Sequence, residues 1–390
     1  MKIGSRPEED FRKCRRTPAQ YTVGAERTAE FYQEVRAAMS LTGSLTGKHI
    51  LSSDLFDRDQ LEQLFGLAEV LVPVARGEQV TRVLEGAVMA SLFFEASTRT
   101  RLSCESAFLR LGGAVTSTTG SEVSSLSKGE SLADTSQVIS GYCDLAVMRH
   151  PEVSSIHEFA AVTNIPVVNA GNGAGEHPTQ ALLDMFTLYR EFGRLGKSMD
   201  GRRIALVGDL RHGRAPHSLM KLLARYEDLT IVCISPEELG MPQELLELVE
   251  ARGHRVEESH RPSIGLADAD AIYATRLQTE RFADKPLPYS DEFRVDRALV
   301  GQVCRPDAVI MHPLPRDSRP GANDLGADLN GDPRLAVFRQ SDAGIPTRMA
   351  LFASVLGVAD EVRKSLRPAT WYRPEYRRPD DAEFYRNVAN

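Results

Sequence analysis

Between residues 87 and 311, short apolar stretches alternate with segments of helical periodicity, and this alternation restricts the fold more than any other feature. Parallel strands buried on both faces read as continuous apolar runs, and each needs a crossover long enough for a helix. Residues 87–94, 114–118, 145–148 and 166–169 supply the strands of a first unit. Residues 203–207, 229–234, 269–275 and 308–311 supply those of a second. Helical spacing falls between them at 131–142, 179–192, 214–226 and 242–251, with a last helix near 343–356. The pattern predicts an α/β protein of two domains, each a parallel sheet flanked by helices, with the active site in the interdomain cleft at the strand C-terminal ends.

A length of 390 residues also favours two cores over one. The first domain is expected over 41–178, completed by the C-terminal helix at about 343–365, and the second over 179–342. The polar, Gly-containing stretch 193–202 is the expected joint. Residues 1–40 and 366–390 are extensions. The first carries one amphipathic helix candidate, with Phe31, Val35 and Met39 at helical spacing. The second mixes Pro, Tyr, Arg and Trp371, and reads as an arm docking on the body or on a neighbouring subunit.

A formal net charge of −7 and a pI near 5.8 argue against nucleic acid or an anionic membrane as partner. No apolar run approaches the length of a membrane span. The five cysteines are scattered, odd in number and without a C-x-x-C pair. That suits reduced thiols in a cytoplasmic protein and offers no ligand spacing for a structural metal. Acidic residues among the first thirty argue against a transit peptide.

The chemistry gathers where strands end. After the apolar run to Phe94 come Glu95-Ala-Ser97-Thr98-Arg99-Thr100-Arg101, entering a helix. The first-turn N–H groups of a helix lack intrahelical partners, and with the helix dipole they favour an anion. Hydroxyls and guanidinium forks at that turn suit a phosphate. The Gly-Lys-Ser/Thr ending of a nucleoside-triphosphate loop is missing. Four further clusters follow other strands: Arg149-His150, the Gly-rich turn 169–180 ending in His177-Pro-Thr-Gln180, Arg276-Leu-Gln278, and His312-Pro313-Leu314-Pro315-Arg316. The turn 207–214 has G-x-x-x-x-G spacing, which supports no dinucleotide and reads as a tight bend presenting Arg214 to the cleft.

Ser97-Thr-Arg-Thr-Arg101, His177-Pro-Thr-Gln180 and His312-Pro-Leu-Pro-Arg316 together resemble the signatures of the aspartate and ornithine carbamoyltransferases. The finer match is to catalytic chains of the aspartate branch, and it runs from about residue 40 to about residue 357. It includes Ser127-Lys-Gly-Glu-Ser-Leu-Ala-Asp134, Met148-Arg-His150 and Thr275-Arg-Leu-Gln-Thr-Glu-Arg281. The resemblance implies transfer of the carbamoyl group of carbamoyl phosphate to the amine of L-aspartate, giving N-carbamoyl-L-aspartate and phosphate for pyrimidine synthesis. It also implies a homotrimer with shared active sites, no cofactor and no metal.

Carried over residue by residue, it places the phosphate on Ser97, Thr98, Arg99 and Thr100. Arg149, His177 and Thr100 hold the carbamoyl oxygen, while Gln180 and the carbonyls of Pro313 and Leu314 accept from its NH2. Aspartate is held by Arg149 and Arg214 at one carboxylate, and by Arg276, Gln278 and Lys128 at the other. Arg99, Thr100, Arg149 and His177 are the implied catalytic groups. Lys128, with Ser124 or Ser125, belongs to a loop that the family inserts into a neighbour's site. Glu95 and Arg281 form supporting ion pairs, Glu95 orienting Arg214, and His177 donates a hydrogen bond in either its neutral or its positive form. The stretch after Arg316 departs from the family pattern and is longer, so ion pairs made there are not carried over. Arg101 is expected in a structural ion pair.

Overall fold

A computed structural model of the chain describes residues 45–120, 129–278, 291–317 and 324–372. The helix candidate around Phe31, the Ser124–Lys128 loop, Arg281 and most of the C-terminal arm lie outside the described residues.

The chain enters through α1 (Arg58–Ala75). A capping box starts it, with the Asp57 side chain accepting from the Gln60 N–H and the Gln60 side chain reaching back to the Asp57 N–H. The sequence reading does not assign this helix. After β1 (Gln79–Val80) come β2 (Val88–Phe93), α2 (Thr98–Arg110), β3 (Ala114–Thr119), α3 (Leu132–Ser140), β4 (Leu145–His150), α4 (Ser155–Ala160) and β5 (Val167–Asn172). Strands β2 to β5 form one parallel sheet in the order β3-β2-β4-β5.

Helix α5 (Pro178–Arg194) leads out of this sheet. There follow β6 (Arg203–Val207), α6 (Arg214–Leu223), β7 (Thr230–Ile234), α7 (Gln243–Glu250), β8 (Arg255–Ser259), α8 (Pro262–Gly265), β9 (Ala271–Ala274), α9 (Arg297–Val303) and β10 (Val309–Met311). They build a second parallel sheet, ordered β10-β9-β6-β7-β8. The chain closes with α10 (Val337–Val355), α11 (Ala359–Ser365) and β11 (Arg367–Pro368), which pairs antiparallel with β1. Two parallel sheets flanked by helices agree with the sequence expectation.

Alternation along β2 shows how the layers form. Met89 and Phe93 face the core shared with α1, α2, α5 and α10, whereas Ala90 and Leu92 face the core under α3 and α4. The larger core continues from the first sheet into the second through α5 and α6. Helix α10 packs on α1, α2 and α5, so the end of the chain returns to the first sheet. The joint after α5 is tied to both units. Asp200 accepts from Arg58 of α1 at 2.7 Å, and Lys197 bridges Asp270 and Asp307 at 2.8 and 2.7 Å.

Several boundaries differ from expectation. β5 extends to Asn172 because Asn169 and Asn172 bond each other and nearby backbone, which keeps an Asn- and Gly-rich stretch extended. α10 starts at Val337, before Pro346, although that proline lacks the N–H to bond the Asp342 carbonyl. The polar edge strand β8 was not expected at all.

Candidate active site

At the C-terminal ends of β2, β4, β5, β6, β9 and β10 the two sheets face a cavity of about 450 Å³. It is lined by every binding residue predicted from sequence within the described residues. Ser97, Thr98, Arg99 and Thr100 come from the start of α2. Arg149 comes from the end of β4, and His177 and Gln180 from the start of α5. Arg214 begins α6, Arg276 and Gln278 follow β9, and Pro313 and Leu314 follow β10. Lys128 lies outside the described residues.

Ser97 occupies the N-cap of α2 in an extended conformation, and its hydroxyl makes no capping bond. The free hydroxyl and the first-turn N–H groups therefore serve the cavity instead of the helix. Among the described residues Arg99 forms no ion pair, and burial alone pulls its pKa below the ordinary value. It is a desolvated cation beside a helix N-terminus, a strong anion site. Arg101 turns away and pairs with Glu105 at 3.6 Å, as expected for a structural ion pair.

Across the cleft, Glu95 bridges two buried guanidiniums, accepting from Arg149 at 3.0 Å and from Arg214 at 3.4 Å. Arg214 also donates to the Gly173 carbonyl at 2.7 Å. Gly171, at φ +114°, makes room for both guanidiniums. A Cβ there would sit 3.1 Å from the Arg214 guanidinium carbon and 3.3 Å from an Arg149 nitrogen. Glu95 thus orients Arg149 as well as Arg214.

His177 is buried between these groups, with Nε2 3.5 Å from Thr100 Oγ1 and Nδ1 3.4 Å from Thr179 Oγ1. Burial, then the nearby Arg214, Arg149 and Arg348, hold its pKa well below the usual histidine value. The imidazole is therefore neutral. Arg348 donates to Thr179 Oγ1 at 3.3 Å. That leaves the Thr179 hydroxyl able to donate to Nδ1, and with the imidazole proton on Nε2 the ring presents an N–H toward Thr100 and the cavity. The neutral form is the one the structure supports.

The second-unit residues are fixed by the turn after β6. Gly208, at φ +125°, lies against the Thr275 carbonyl, where a Cβ would collide with that oxygen. Buried Asp209 then accepts from the Gln278 N–H at 3.1 Å and the His212 N–H at 3.0 Å. The bend that starts α6 at Arg214 therefore also anchors the Arg276–Gln278 turn. Leu314 adopts φ +55°, a strained value for its residue type, and its N–H donates to His312 Nδ1 at 2.8 Å. Arg316 donates to Asn330 at 3.0 Å and packs over Phe338.

Sequence reasoning missed three groups. Arg348 and Gln340 reach the cavity from α10, and Asp184 sits fully buried behind Gln180. A single charge inside an apolar helical run, as in Leu182-Leu183-Asp184-Met185-Phe186 or Arg348-Met-Ala-Leu-Phe352, was the available signal. His150, grouped with Arg149 in the sequence, is instead held among Ser155 and the Glu152 N–H.

Residues 48–190 match the carbamoyl-P binding domain of aspartate/ornithine carbamoyltransferase, and residues 200–355 match its Asp/Orn binding domain. The chain belongs to the aspartate/ornithine carbamoyltransferase family. It is 53% identical over 344 residues to the aspartate carbamoyltransferase catalytic subunit of Dichelobacter nodosus, covering 88% of this chain and 99% of that one. The corresponding subunit of Saccharophagus degradans is 51% identical over 329 residues, covering 84% and 98%. Among solved structures, aspartate transcarbamoylase from Trypanosoma cruzi in complex with carbamoyl phosphate superposes with a TM-score of 0.75 at 39% identity. That likeness covers 82% of this chain and 99% of the other. The same enzyme in complex with carbamoyl aspartate and phosphate gives 0.73 at 40%, covering 82% and 98%.

Proposed function

We propose that this chain is an aspartate carbamoyltransferase, moving the carbamoyl group of carbamoyl phosphate to the amine of L-aspartate. The observation that carries the reading is one cavity with a phosphate cradle on α2 and, on the opposite unit, the cations Arg214 and Arg276 beside the Gln278 amide. The relatives' names and the ligands in the similar Trypanosoma cruzi structures support it.

In this reading the aspartate amine attacks the carbamoyl carbon, and charge builds on the carbamoyl oxygen. Arg149, Thr100 and the Nε2–H of neutral His177 donate to that oxygen from preorganised positions. Ser97, Thr98, Arg99 and Thr100 stabilise the departing phosphate, which takes up the amine proton. Arg276, Gln278 and Lys128 receive the side-chain carboxylate of aspartate, and Arg149 and Arg214 the other. No step calls for a protein nucleophile. Approach of the two units about residues 193–202 brings the reactants together.

Purified protein given carbamoyl phosphate and aspartate should release phosphate well above spontaneous decay. Release at the decay rate rejects the reading, and a screen against other amine acceptors, ornithine first, checks the preference for a dicarboxylate. We further propose a homotrimer with shared sites, supported by the apolar Leu102 and Leu109 exposed along one side of α2. Inactive Lys128→Ala and Arg99→Ala chains, mixed and reassembled, should regain activity; without recovery, sharing is excluded. A cytoplasmic location is supported by the unpaired Cys104, Cys143, Cys233 and Cys304. No helix among the described residues is long and apolar enough to cross a membrane.

A further inference from the structure

Behind the cavity, a carboxylate with no solvent exposure joins three elements. Asp184 of α5 accepts from the Gln180 amide at 2.9 Å, from the Gln340 amide at 2.6 Å and from the Tyr273 hydroxyl at 2.7 Å. The two amides share one carboxylate oxygen and the hydroxyl takes the other. These are the groups facing Asp184 from α5, α10 and β9, and the Arg348 cation lies near enough to favour its charge.

The orientation of Gln340 is unambiguous. The backbone N–H of His312 can only donate, and it donates to Gln340 Oε1 at 2.9 Å. Gln340 must therefore turn its NH2 toward Asp184. An ionised carboxylate is an acceptor alone, so the same logic applies to Gln180, one turn before Asp184 on the same helix. With its NH2 committed to Asp184, Gln180 has its carbonyl oxygen left to show the cavity. Burial raises the Asp184 pKa to about 6, which leaves it mainly ionised at neutral pH.

We propose that Asp184 is a positioning residue that makes the site select a ligand carrying an N–H donor beside its phosphate. It does so by holding the Gln180 amide with its oxygen outward. Through Gln340 it also ties down the His312 turn, which bears the Pro313 and Leu314 carbonyls. The proposal rests on the carbamoyltransferase reading and goes beyond it, because Asp184 touches no substrate. Without a fixed acceptor the Gln180 amide is free to rotate, presenting its NH2 to the substrate's NH2, a clash of two donors. Sites built on hydrogen bonds discriminate strongly against analogues that lack the matching group.

Acetyl phosphate is the fitting probe, since it replaces the carbamoyl NH2 by a methyl group at nearly constant shape. The wild-type chain should bind carbamoyl phosphate more tightly than acetyl phosphate. Asp184→Leu, similar in size but without acceptors, should weaken carbamoyl phosphate by about tenfold and acetyl phosphate by less than about twofold. Asp184→Asn should restore most of the preference, because one oxygen still receives both glutamines while its NH2 donates to Tyr273. An unchanged preference in the Leu variant, or equal weakening of both ligands, overturns the proposal. If the Leu variant does not fold, Gln180→Ala carries the test: it must lose the same preference, and retention refutes the idea. A wild-type chain with no preference that still carbamoylates aspartate also refutes it and leaves the functional reading intact.

Discussion

At the scale of single residues, the site combines fixed cations with a neutral imidazole. His177 acts by position and hydrogen bonding, since burial and then three nearby arginines keep it unprotonated. His177→Ala should therefore lower kcat by a factor of about 10² to 10³. Inorganic phosphate should bind it as before, because the cradle lies on α2. Steady-state kinetics with phosphate titration checks both, and near wild-type turnover excludes the role given to His177. Most of the site was legible in the sequence because each group follows an apolar run, and strand exits are where parallel sheets place ligands. Asp184, Gln340 and Arg348 were not legible, since they lie inside helices and acquire their function only when α5 meets α10. The Glu95 bridge was half visible: its link to Arg214 followed from the family resemblance, its link to Arg149 from packing alone.

The elements divide into those written by local pattern and those imposed by neighbours. The central strands β2, β4, β6, β7 and β9 were readable from runs such as Arg203–Val207, whose bounds the structure reproduces. β8, with the sequence Arg-Val-Glu-Glu-Ser, has an edge position and half-exposed side chains, so its strand character comes from pairing with β7. Helix α10 begins at Val337, six residues before the helix expected near 343–356, and packing on α1, α2 and α5 carries it through Pro346. The bend between β6 and α6 offers a direct test of element geometry. Gly208→Ala would drive a Cβ into the Thr275 carbonyl at a positive φ, with a destabilisation of about 2 kcal/mol or more. The displaced Arg276–Gln278 turn should raise the KM for aspartate several-fold with little change for carbamoyl phosphate. Urea unfolding and the two KM values decide it; an unaltered aspartate KM would separate this bend from the acceptor site.

For the whole molecule, the buried cationic cleft ties stability to pH. A buried neutral histidine takes up a proton only on unfolding, so its contribution is present above its ordinary value of 6.5 and lost as pH falls below it. Between about pH 7.5 and about pH 5.5 His177 should remove about 1.4 kcal/mol of stability. Asp184 opposes this: its folded pKa near 6 exceeds its ordinary 3.8, so acidification relieves the ionised form over that window. Comparing wild type with His177→Asn isolates the histidine. The variant should lose about 1.4 kcal/mol less on acidification, and equal losses in urea unfolding would contradict the assignment. The return of α10 to the first sheet has a different consequence, one of timing. Chains leave the ribosome from the N-terminus, and domains commonly fold in that order. Here the apolar faces of α1, α2 and α5 stay uncovered until residue 355 has been made, after every strand of the second sheet. The half of the protein that is synthesised first is the half that is completed last.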